Sequence, residues 1–88
     1  MAGTAGSSFA DELNRLANGG TYPALTAYKS EQGAANAYAS TSGLGIVAAL
    51  NIKADANRQP NNYKMTNAIC NELAGTSGLS AVDALRTI

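Results

Sequence analysis

Apolar residues recur at three- and four-residue spacing in five short windows of this sequence, separated by polar and glycine-containing stretches, a pattern that predicts amphipathic helices. The first window opens at Ser8, whose hydroxyl can accept the backbone N–H of Asp11 while Asp11 reaches back, and Phe9, Leu13, Leu16 and Ala17 then share a face. Asn18-Gly19-Gly20 ends it. The second begins near Thr21 with Pro23 in its first turn and runs through Leu25, Tyr28, Ala35 and Tyr38; Gly33 inside it is a point where it can bend or split. The third covers about residues 44–54, and the fourth covers about residues 62–74, after a connection of loop formers at residues 55–61. The fifth runs from Leu79 to the last residue, Ile88. The joints at residues 39–43 and 74–78 are short enough to make the next helix fold back. The expected fold is therefore all-α, about five short helices stacked as helical hairpins.

The windows are copies of one another. At an offset of 35, residues 28–53 align without a gap with residues 63–88, and 11 of the 26 pairs are identical. Random pairing in an alanine-rich chain would give roughly two or three. A fainter copy at an offset of 37 sets Ala2, Thr4, Gly6, Leu13, Asn14 and Ala17 against Ala39, Thr41, Gly43, Leu50, Asn51 and Ala54. The order is loop, A-type helix, connection, B-type helix, giving units of about residues 2–38 and 39–73 and a half unit at 74–88 within one domain, residues 1–88. The final A-type helix then carries a stripe of Leu79, Val82, Leu85 and Ile88 with no B-type helix after it. The expectation is that a neighbouring subunit or partner surface covers this stripe; the alternative is that the last helix folds back onto the first.

Composition sharpens this picture. The 45% hydrophobic content of these 88 residues is mostly alanine, with one Phe, four Tyr and no Trp, so the core is thin and contact with copies of itself or a partner is expected to add order. Six basic residues balance six acidic ones, which removes the electrostatic case for nucleic acid or an anionic membrane surface. The longest apolar run, near residues 43–50, is far short of a membrane span, and no secretory leader is visible, so the expectation is a soluble protein made in the cytoplasm.

Candidate chemistry is sparse. Histidine, the commonest general base and metal ligand, is absent. The lone Cys70 aligns with Ala35 and reads as packing, the acids Asp11, Glu12, Glu31, Asp55, Glu72 and Asp83 are dispersed, and no glycine-rich loop ends in the Gly-Lys-Ser/Thr that cradles phosphate. The expectation is a non-enzyme with no cofactor or metal. Asn14, Asn36, Asn51 and Asn71 recur in the last turns of four successive helices, each followed three residues on by alanine. Because an asparagine side chain can donate and accept at once, its expected role is to satisfy backbone groups of a neighbouring joint, with a polar ligand-binding stripe as the alternative. Tyr22, Tyr28, Tyr38 and Tyr63 suit a partly buried seam, and Tyr22, Tyr28 and Tyr63 are taken with the terminal stripe as the candidate protein interface.

The segments Ala34-Ala35-Asn36-Ala37-Tyr38-Ala39, Ala48-Ala49-Leu50-Asn51-Ile52-Lys53-Ala54 and Asn71-Glu72-Leu73-Ala74-Gly75-Thr76-Ser77-Gly78-Leu79 resemble the Leu-Asn-x-x-Ala-Gly-Thr-x-Gly-Leu helical repeats of small structural proteins in tailed bacteriophages of actinobacteria. The resemblance spans most of the chain from Asp11 onward. Asn18-Gly19-Gly20 and Asp55-Ala56-Asn57 depart from the Gly-Thr joint, and the second A-type helix varies at Gly45 and Ala48. The resemblance implies a virion component, first of all a capsid decoration or minor capsid protein bound to the major capsid lattice and to copies of itself. A minor tail module is the alternative. A small helical DNA-binding regulator is the rival from a different class, and it would need a basic face.

Overall fold

A computed structural model describes residues 7–88, and among these residues all regular structure is helical: α1 (Phe9–Ala17), α2 (Glu31–Ala39), α3 (Ile46–Ala54), α4 (Thr66–Ala74) and α5 (Ala81–Arg86). Two 3₁₀ turns, Leu25–Ala27 and Pro60–Asn62, lie in the connections ahead of α2 and α4. The faint match at Ala2, Thr4 and Gly6 lies outside the described residues. No helix among those described is long and apolar enough to cross a membrane.

Local chemistry starts and stops these helices. Ser8 and Asp11 form the reciprocal capping box, with the Asp11 N–H donating to Ser8 Oγ at 3.1 Å and the Ser8 N–H donating to Asp11 Oδ2 at 2.9 Å. Ser30 and Ser80 cap α2 and α5 in the simpler way, accepting from the N–H groups of Gly33 and Asp83. At their C-termini α2 and α4 turn into the left-handed conformation, at Ser40 (φ 59°) and Gly75 (φ 73°) respectively.

Every helix after the first begins later than the apolar pattern suggests. The B-type helices expected from near Thr21 and from residue 62 begin at Glu31 and Thr66, and the A-type helices expected from Leu44 and Leu79 begin at Ile46 and Ala81. The physical reason is the same in all four cases. The residue two places before the helix has its backbone N–H and C=O bound by an asparagine side chain from the preceding helix, and a backbone so held is not available to the helical ladder. The break in the second window therefore falls at residues 28–30, and Gly33 lies within the first turn of α2. A Cβ on Gly33 would come within 3.2 Å of Ser30 Oγ and 3.4 Å of Lys29 Cβ, so a glycine there makes room for the cap.

Each helix packs on the next, as the expected hairpins do, and α5 also packs on α1, so the arrangement closes into a ring. The fourth and fifth residues of every helix face inward at no measurable exposure: Glu12 and Leu13, Ala34 and Ala35, Ala49 and Leu50, Ile69 and Cys70, Ala84 and Leu85. The ring is flat, 37 × 29 × 16 Å, and four of its nine fully buried hydrophobic residues are alanines. The expected external cover of the terminal helix is accordingly corrected. Leu85 is core, Leu79 and Val82 are half-buried, and only Ile88, at 42%, stays substantially exposed, because α1 supplies the missing face from within the chain.

The equivalent core positions of α1, α3 and α5 carry Leu13, Leu50 and Leu85, all fully buried. Leu50→Ala and Leu85→Ala are expected to cost about 2–5 kcal/mol each, whereas Leu25→Ala, at a side chain 81% exposed, should shift stability by no more than about 0.5 kcal/mol. Urea midpoints of the three variants test this, and a silent Leu85→Ala would contradict the closed ring.

Candidate functional site

The residues that recur along the chain occupy one structural position. Asn14, Asn36, Asn51 and Asn71 are each the sixth residue of a nine-residue helix. Burial on the helix's inner edge points the amide toward the start of the next helix. In α1, Asn14 Nδ2 donates one hydrogen to the Ala10 carbonyl at 2.8 Å and the other to the Lys29 carbonyl at 3.0 Å, while its Oδ1 accepts the Lys29 N–H at 2.8 Å. Asn51 repeats this with Val47 (2.7 Å), the Lys64 carbonyl (2.9 Å) and the Lys64 N–H (2.8 Å).

The two B-type helices use the same device with one addition. Asn36 Nδ2 donates to the carbonyls of Gln32 and Leu44 at 2.9 and 2.8 Å, and its Oδ1 accepts from the Leu44 N–H at 3.2 Å and from the Thr41 hydroxyl at 2.8 Å. Asn71 does so with Asn67, Leu79 and Thr76. Both donor hydrogens and the acceptor are thus in use in all four asparagines. This explains why Thr41 and Thr76 recur with them in the short joints.

The fifth joint differs. The sixth residue of α5 is Arg86, and it binds Ser7, which precedes the N-cap of α1 as Lys29, Leu44, Lys64 and Leu79 precede the caps of the other helices. Arg86 Nη2 donates to the Ser7 carbonyl at 2.6 Å and Nε to the Ser7 hydroxyl at 3.0 Å. Beside it, Arg15 Nη2 donates to the Leu85 carbonyl at 2.9 Å and Arg15 Nε to Glu12 Oε1 at 2.8 Å. Tyr22 donates its hydroxyl to Glu12 Oε2 at 2.6 Å. Ser7, Glu12, Arg15 and Arg86 were not singled out by the sequence pattern. The available signal was Arg86 itself, which stands where the offset of 35 places Asn51.

Burial alone would push the Glu12 carboxyl up, but hydrogen bonds from Ser7, Tyr22 and Arg15, with the charge of Arg15, outweigh it and hold the group below its ordinary value of 4.5. The Asp11 carboxyl is also lowered, chiefly by the Ser8 backbone N–H and then by the Tyr28 hydroxyl, which donates to Asp11 Oδ1 at 2.6 Å. Those bonds raise the tyrosines in turn, Tyr28 to about 12. Tyr22 and Tyr28 therefore tie the α1–α2 connection down to α1, while Tyr63, the counterpart of Tyr28, is half-buried ahead of α4. The Cys70 thiol, fully buried, is pushed up to about 11 by desolvation, far from the thiolate character of a nucleophile. Among the described residues no cluster of three or more His, Cys, Asp or Glu side chains is placed to hold a metal ion.

No protein-family model, no curated protein and no solved structure matches this chain.

Asn51→Ala is expected to cost about 1–3 kcal/mol, because it leaves the Lys64 N–H and C=O without their partner in a partly buried joint, while Asn61→Ala, at an exposed turn position, should cost no more than about 0.5 kcal/mol. Denaturant titration of both variants is the measurement. The carboxyls make stability pH-dependent in a defined direction. Groups lowered in the folded state contribute fully above their ordinary values, 3.8 for Asp11 and 4.5 for Glu12, and the contribution is lost as pH falls through the lower folded values. Raised tyrosines contribute fully below 10.0 and lose it as pH climbs through the raised values, about 12 for Tyr28. Glu12→Gln should lower stability at neutral pH and flatten the acid limb of a stability–pH curve measured between pH 7 and 2; an unchanged acid limb would refute the assignment.

Proposed function

We propose that this chain is a structural, non-catalytic component of a virus particle, a capsid decoration or minor capsid protein of a tailed bacteriophage, made in the host cytoplasm and bound to the major capsid lattice alongside copies of itself. The observation that carries this reading is where the repeated residues spend their hydrogen bonds. Four asparagines and two threonines use their polar groups to join one helix to the next, so what the chain repeats is an architecture and not a ligand site. A polar binding stripe would need those same groups free. Repeats of this type are also what the chain shares with the small virion proteins it resembles.

The surface suits a passive building unit. Among the described residues Leu25 (81%), Met65 (73%) and Ile88 (42%) are the large apolar side chains left exposed, and all three lie outside the core positions of the helices. Charge balance, six against six, favours a protein partner over nucleic acid or an anionic membrane.

The test is a copy count. Quantitative mass spectrometry of purified particles should find this protein in hundreds of copies, in a fixed ratio to the major capsid protein. A handful of copies would instead favour the tail module, and its absence from particles would overturn the reading.

A further inference from the structure

The two A-to-B connections share a frame but are filled differently. In the second, the Glu72 carboxylate on α4 is bound by two cations: Arg58 Nη2 donates to Oε2 at 2.9 Å, and Lys64 Nζ donates to Oε1. Arg58 also donates from Nη1 to the Asn62 carbonyl at 3.0 Å, which lays its side chain along the connection, largely buried. The helix register and the 3₁₀ turns place Pro23 at the position of Arg58, Ala37 at that of Glu72 and Lys29 at that of Lys64.

Replacing an arginine by proline and a glutamate by alanine removes two long side chains from one location. At that location in the first unit is a half-enclosed cavity of about 90 Å³, lined by Asn14, Ala17, Asn18, Pro23, Lys29 and Ala37 among others. Among the described residues Lys29 is also the one basic side chain with no hydrogen bond, ion pair or ring contact. Arg15 pairs with Glu12, Arg58 and Lys64 with Glu72, and Arg86 with Asp83, while Lys53 lies 4.8 Å from the centre of the Tyr38 ring. The clasp by Asn14 fixes the Lys29 backbone at the cavity wall, in the register that Lys64 holds beside Glu72 in the other unit, which leaves the exposed Lys29 side chain within reach of the opening. Glu31, the nearest acid along the chain, does not line the cavity.

We propose that this cavity is a binding site for a carboxylate side chain of a protein partner, which enters over Ala37 and takes from Lys29 the ion pair that Glu72 takes from Lys64. The volume argues for a side chain. It holds a carboxylate head and its adjoining methylene, and the open side leaves the bearer outside. A single screened pair binds weakly in isolation and gains from the surrounding contacts of a larger interface. The inference rests on the difference between the two units and is independent of the particle assignment.

Amide chemical shifts of the isotopically labelled protein, titrated at constant ionic strength with glutamate blocked at both its amino and α-carboxyl groups, test this directly, with blocked glutamine as the control. The expected result is saturable shifts in the millimolar range, confined to Asn14, Asn18, Lys29 and Ala37 and missing with blocked glutamine. Lys29→Gln, a substitution at an exposed side chain, should weaken binding at least fivefold with an unchanged urea midpoint. Ala37→Glu should abolish binding by filling the site from within. Equal shifts with blocked glutamine, undiminished binding by Lys29→Gln, or no saturable shift at all would overturn the proposal.

Discussion

One interaction organises this molecule: the side-chain amide of an asparagine, six residues into a helix, paired with both backbone polar groups of the residue that precedes the next helix cap. An asparagine amide carries the same donor and acceptor as a peptide group, so the pair resembles a single rung of an antiparallel ladder formed without a strand. The second amide hydrogen goes to the carbonyl four residues back on the same helix, which fixes the rotamer before the joint is made. The exchange suits a core built so largely of alanine. Small side chains allow close approach but define rotation and register poorly, and directional polar bonds supply what packing leaves loose.

The same constraint explains the differing lengths of the joints. The B-to-A connections reach the next helix within a few residues and need a threonine hydroxyl to complete the asparagine's acceptor, whereas the A-to-B connections take a longer path through a 3₁₀ turn and no such hydroxyl takes part. Both kinds end on a clasped, extended residue. Variation between units is accordingly found in what fills the longer connections, an arginine and a glutamate in one, a proline and an alanine in the other, while the clasp itself is held constant.

Much of this could be read from the residues alone, and what could not has a common cause. Helical class, the count of five and the pairing of equivalent positions such as Leu50 with Leu85 all follow from periodicity and self-alignment, because burial of one face leaves its mark on composition. The recurrence of Asn14, Asn36, Asn51 and Asn71 likewise pointed to a joint. Helix starts were placed too early because apolar residues such as Tyr28, Leu44 and Leu79 continue the helical spacing into segments whose backbone is held by a distant side chain, and spacing carries no record of that hold. Closure of the ring stands only as the alternative in the sequence for a related reason. It is made by Arg86 and Ser7, which break the repeat, and a search for likeness passes over the position where the likeness ends.

The closing joint also sets an order of events in folding. The four asparagine clasps bridge residues 8 to 15 apart in the chain, whereas Arg86 and Ser7 are 79 apart. Loop-closure entropy rises with the logarithm of length, so joining the ends before the intervening joints exist costs about 1.5 kcal/mol more than forming one of the 15-residue joints. The path of least cost is sequential zippering from any interior joint, with the two ends meeting last, when the assembled helices have already brought them near. Most of the ordering is then local, the kind of topology associated with fast folding. The last event is then the meeting of α5 with α1, where Arg86 reaches the Ser7 hydroxyl and carbonyl and Arg15 reaches the Leu85 carbonyl.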